Sequence, residues 1–113
     1  MFEISQNNDI QLTRGDTARF RVHITCEDSN KDVIPYEIAD TDTLTLSVKK
    51  NVKDFKPLFQ KVITGSDKFH IKPEDTANLD FGKYRYDVQL NKSNSDVHTV
   101  VPTSVFEILQ EVT

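Results

Sequence analysis

The sequence predicts an all-β domain, and three observations carry the prediction. Val, Ile and Thr supply 30 of the 113 residues, while Ala occurs three times and Trp is absent. That bias suits pleated, half-buried strands better than helices. Apolar residues recur with a period of two in several segments, the pattern of a strand with one buried face. Turn-forming residues interrupt those segments about every 8 to 12 residues, the spacing of a sandwich or barrel.

"MFEIS" and "IQLTR" are the first strand candidates, closed by a turn at "TRGDT" where Gly15 supplies a positive φ and Asp16 caps. "TARFRVHITC" follows as one long strand, with Phe20, Val22, Ile24 and Cys26 inward and Arg19, Arg21, His23 and Thr25 outward. The polar loop "EDSNKD" leads to "VIPY", whose Pro35 argues for an edge position. "DTLTLSVKK" places Leu44, Leu46 and Val48 inward and ends in the basic stretch "KKNVKDFK", a hairpin end. "LFQKVIT" and "KFHI" flank a turn at Gly65. "PEDTANL", residues 73–79, is the one helical turn expected, with Pro73 suited to a first helical position. Gly82 permits a bend into "GKYRYDVQL", which turns Tyr84, Tyr86, Val88 and Leu90 inward. The loop "NKSNSD" and the strands "VHTVVP" and "SVFEILQEV" complete the chain.

The stretch "KPEDTANLDFGKYRY" narrows the fold further. In sandwiches, a tyrosine near the start of a late strand often bonds back to the backbone of the preceding crossover. Tyr84, with Leu79 as anchor and Gly82 at the bend, fits that position. The "KPEDTA" segment resembles an antibody variable domain, but the likeness stops there. Tyr86 stands where the disulfide cysteine would be, Cys26 is the lone cysteine, and no Trp is present. The expectation is one domain over residues 1–113, an immunoglobulin-like Greek-key β-sandwich that reuses the corner.

A net charge of −4 with both signs interspersed does not suit nucleic acid, which needs a strong basic face. No run of apolar residues is long enough for a membrane span, and the N-terminus lacks the basic and apolar regions of a signal peptide. Synthesis without a signal peptide in a reducing compartment is the expectation, with neither nucleic acid nor membrane as partner.

"RGD" at Arg14, Gly15 and Asp16 is read as a turn in preference to an adhesion ligand, because tripeptides recur by chance. His23, His70 and His98 stand apart, without metal-ligand spacing, and Cys26 reads as a small core residue. "EDSNKDVIP" lacks the glycine and distal glutamate of a calcium loop. Lys49, Lys50, Lys53 and Lys56 form a solvated run that discourages edge pairing or meets an acidic partner. No nucleophile–base pair or phosphate loop stands out, so no catalytic, cofactor or metal residues are expected.

Four segments in order, "IQLTRGDTARFRVHI", "DTLTLSVKK", "FHIKPEDTANLDFGKYRYDVQL" and "SVFEILQEV", resemble the N-terminal β-sandwich domain of phage baseplate upper proteins from tailed phages and prophages of Gram-positive bacteria. The resemblance implies a virion structural role in the tail baseplate after synthesis in the bacterial cytoplasm, with other baseplate proteins, and copies of the chain itself, as the candidate partners. It supplies no catalytic residues. Arg14, Gly15, Asp16, Leu79, Gly82 and Tyr84 become fold determinants under it. Phe2, Tyr36, Phe55 and Phe81 are the candidate interface anchors, and "VIPYEI" and "MFEIS" the candidate open edges. The competing reading is a bacterial immunoglobulin-like carbohydrate-binding or adhesive module. An enzyme would require histidines and carboxylates converging in a deep pocket.

Overall fold

The structure, a computed structural model, describes Phe2–Glu111. Met1 and Val112, at the outer ends of the strand candidates "MFEIS" and "SVFEILQEV", lie outside the described residues, as does Thr113. The fold is all-β. The strands are β1 (Phe2–Ile4), β2 (Ile10–Thr13), β3 (Ala18–Arg21), β4 (Thr25–Glu27), β5 (Val33–Pro35), β6 (Thr43–Lys49), β7 (Phe59–Thr64), β8 (Lys68–Ile71), β9 (Gly82–Asn91) and β10 (Val97–Leu109). The single helical turn, α1 (Pro73–Thr76), falls within the expected stretch.

Six strands form one sheet in the order β1-β2-β10-β9-β6-β7, parallel at β2–β10 and antiparallel elsewhere. The chain leaves this sheet after β7, crosses to β8, and returns through α1 as β9 on the other side of β6. β3 and β8 pair with each other and close the core from the opposite side, giving a sandwich-like arrangement.

Alternation explains the core. Leu44, Leu46 and Val48 of β6, Tyr84, Tyr86, Val88 and Leu90 of β9, and Phe106 and Ile108 of β10 are all buried. They pack against Ala18, Val22, Phe69 and Ile71 from the β3/β8 side. Burying a side chain such as Phe69 or Phe106 contributes about 1.5–3 kcal/mol. Phe20 bridges the layers, with ring centroids 5.8 Å from Phe2 and 5.7 Å from Phe69.

Two expected elements come out differently. "TARFRVHITC" keeps its alternation, but it is two strands. β3 pairs β8, the strand is interrupted at residues 22–24, and β4 pairs β5 in a separate two-stranded ribbon. Cys26 is therefore half-buried on that ribbon and not a core residue. Conversely, "VHTVVP" and "SVFEILQEV" belong to one strand, β10. Its register against β9 shifts on both sides of Val101, and this irregularity accommodates Pro102 inside a paired strand. Asp9 accepts the Val105 N–H at 2.9 Å beside it.

Candidate interaction surface

The strands of the six-stranded sheet end at two dissimilar poles. Lys49 pairs with Arg85 at one, and Thr43 with Asn91 at the other. At the first pole the turn after β2, the loop 50–58, and the α1 crossover meet. Asp16 N–H donates to Thr13 O at 3.0 Å, with Gly15 at φ +83°, a turn that suits glycine. The Gly15 N–H donates to the hydroxyl of fully buried Thr76 in α1 at 3.0 Å. Arg14 donates to the Leu79 carbonyl at 3.4 Å and to Glu111 at 3.1 Å, and its guanidinium lies 4.3 Å from the Phe81 ring centroid. The "RGD" tripeptide is thus built into the crossover through Arg14 and Gly15.

The corner expected at Tyr84 is present. Its hydroxyl donates to the Asp80 carbonyl at 2.7 Å, and burial pushes its pKa up. Gly82, at φ +136°, makes the bend that leads into β9. Asp75 completes α1 by accepting the Lys72 N–H at 2.7 Å and pairing with Lys61 of β7. Arg14, Gly15, Leu79, Gly82 and Tyr84, scattered in sequence, are brought together here with Asp16 on the same turn.

The 50–58 loop projects from this pole. The Asp54 N–H donates to Asn51 O at 3.0 Å, and the Asp54 carboxylate accepts the Asn51 N–H at 2.9 Å. That local closure presents Phe55 outward at 96% exposure, flanked by exposed Val52 and Leu58. Lys50, Lys53 and Lys56 are exposed around them. Of the four candidate anchors, Phe55 is the most accessible. Phe81 is half-covered by Arg14. Two other expected anchors are engaged internally: Phe2 is half-buried against Phe20, and Tyr36 is half-buried with its hydroxyl donating to Asp42.

The opposite pole carries the β4–β5 ribbon. Buried Asp42 accepts from the Tyr36 hydroxyl and from the Ala39 N–H, the latter at 3.0 Å. The Tyr36 bond is the main cause holding the Asp42 carboxyl below its usual range. In return, Asp42 is the main cause pushing the Tyr36 phenol up to about 12. Lys92 stands 5.2 Å from the Tyr36 ring centroid. Between ribbon and sheet lies a cavity of about 350 Å³, with Ile24, Cys26, Tyr36, Leu90, His98 and Val100 among its walls.

His23 also lines this cavity, so two histidines that looked isolated in sequence line the same cavity. No group of three histidine, cysteine or carboxylate side chains suited to a metal exists among the described residues. A second, more open groove of about 460 Å³ over β1, β2 and β10 holds Glu3, Asp9, Lys83 and Glu107. There Gln11 donates to Glu107 at 3.0 Å. Histidines and carboxylates therefore line different grooves and do not converge in either.

Both edges singled out in the sequence are edges. β1 ends the six-stranded sheet, and β5 pairs only with β4, all three of its residues exposed. β7 forms the other edge of the sheet, with Val62 exposed. No match to this chain was found among protein-family models, curated proteins or solved structures.

Proposed function

We propose that this protein is a non-enzymatic assembly module of a phage or prophage tail baseplate, an immunoglobulin-like β-sandwich acting through protein–protein interfaces. The observation that carries the assembly part is the exposed Phe55 on an internally hydrogen-bonded loop, together with open edges at β1, β5 and β7. Aromatic residues are enriched among those that anchor interfaces. Open edges offer N–H and C=O groups for a neighbouring chain to complete. The baseplate part rests on the ordered sequence segments resembling the baseplate upper proteins.

Its partners are then other tail proteins, and its location is the virion tail. The carbohydrate-binding alternative is less well supported. Sugar platforms need exposed aromatic faces, whereas Tyr84 and Tyr86 are buried and Tyr36 is half-buried. Immunogold labelling of tailed particles, induced from the source bacterium and purified, tests the proposal. Label at the distal tail is expected. Intact particles that contain none of this chain by mass spectrometry would sink the baseplate reading.

A further inference from the structure

Two segments at opposite poles differ in charge as well as shape. Residues 49–58 contain four lysines against one aspartate, and residues 26–42 contain six carboxylates against one lysine. Of those six, Glu27, Asp32, Glu37 and Asp40 are exposed. Apolar shape follows the same division. The basic pole presents Phe55, Val52 and Leu58 as a projecting tip. The acidic pole offers exposed Val33, at 69%, and the concavity beneath the ribbon.

We infer that two copies of this chain associate head to tail, the Phe55 tip of one seating in the cavity beside the β4–β5 ribbon of the next. This contact rests on the assembly reading above and names its first partner as the chain itself. Size permits it: an apolar cavity of about 150 Å³ accepts a benzene ring, and this one is about 350 Å³. Ile24, Leu90 and Val100 supply apolar walls beside Tyr36, while His23, His98 and Lys92, whose ammonium lies 5.2 Å from the Tyr36 ring centroid, make part of the lining polar. Exposed Glu27 and Glu37 adjoin the lining residues Cys26 and Tyr36 in sequence, and the contact would pair them with Lys53 and Lys56 of the seated tip. The chain's own net charge of −4 opposes random association, so the opposed poles also select the orientation. Because the two surfaces are different, the contact is heterologous. It repeats into a ring where the rotation closes and into a filament where it does not.

The test is molar mass by light scattering behind size exclusion, across concentration and at two salt strengths. The variants are Phe55→Ser and the double substitution Glu27→Lys with Glu37→Lys, all at exposed positions, with thermal midpoints checking the fold. The wild-type chain should associate with rising concentration and less at high salt, since screening weakens exposed charge pairs. Phe55→Ser should raise the dissociation constant by about thirtyfold or more, the effect of truncating an interface anchor. An equimolar mixture of the two variants should give a 1:1 dimer, since one keeps the tip and the other keeps the cavity. Wild-type oligomers unaffected by either variant would overturn the contact in favour of edge-to-edge pairing, leaving the assembly reading in place. A strict wild-type monomer would overturn it as well, and the particle labelling would then judge the baseplate reading separately.

Discussion

The Tyr84 hydroxyl reaches a carbonyl only four residues upstream, so its bond pins the chain between α1 and β9 without recruiting a distant element. With the ring buried and the hydroxyl held by Asp80, replacement by Phe keeps the packing and removes only the bond. Tyr84→Phe should lower stability by about 1 kcal/mol, the net value of one intramolecular hydrogen bond. Denaturant unfolding measures it, and an unchanged midpoint would show that the hydroxyl contributes nothing. This corner was legible from sequence because its parts are local: a helical start at Pro73, a glycine at the bend, and a tyrosine two residues on. Arg14 was legible only as part of a turn. Its partners Leu79 and Glu111 lie 65 and 97 residues away, and no local pattern encodes contacts at such separations. Phe55 was nameable as a candidate anchor, but exposure separates the candidates, and Phe2 packs inward against Phe20 instead.

At the scale of elements, alternation identified inward faces correctly on β6 and β9 and could not identify partners. Residues 18–27 keep one face throughout, yet β3 and β4 pair with different strands, because period two is indifferent to an interruption that changes neighbour. The β4–β5 ribbon is held to the sheet by the Tyr36–Asp42 bond, which gives it a definite pH dependence. Asp42 has a folded pKa below its ordinary 3.8, so its contribution is present above 3.8 and lost as pH falls through the lowered value. Tyr36 has a folded pKa raised from 10.0 to about 12, so its contribution is complete below 10.0 and lost as pH rises toward 12. Tyr36→Phe removes the bond and should destabilise at neutral pH by about 1.5–3 kcal/mol, the range for a bond to a charged group. The difference in thermal midpoint between wild type and variant should shrink at both the acid and the alkaline end. A difference constant across pH would show that the pair does not couple to folding.

Across the whole molecule, buried strands and exposed strands fall in different parts of the fold. In the sheet, every inward residue of β6 and β9 is buried, and opening either strand exposes core. In the ribbon, Cys26 is half-buried while Thr25, Glu27 and Val33–Pro35 are exposed, so opening it exposes little apolar area. Beyond the Tyr36 hydroxyl, the ribbon is restrained by backbone bonds such as Tyr36 N–H to Ile24 O, at 2.8 Å, and at its base by Ile24, Tyr36 and Ile38 packed against the core. Local opening costs less where less surface is uncovered, and binding segments come from the low-cost end. Amide hydrogen exchange should therefore show the β4 and β5 amides exchanging through local opening well before those of Leu46 and Val88. Raising the concentration until chains associate should then slow the ribbon amides selectively, because a seated neighbour must leave before the ribbon opens. Equal protection of ribbon and sheet in the monomer would refute the division. Selective protection appearing at the β7 edge on association would assign the contact to strand pairing rather than to the ribbon pole.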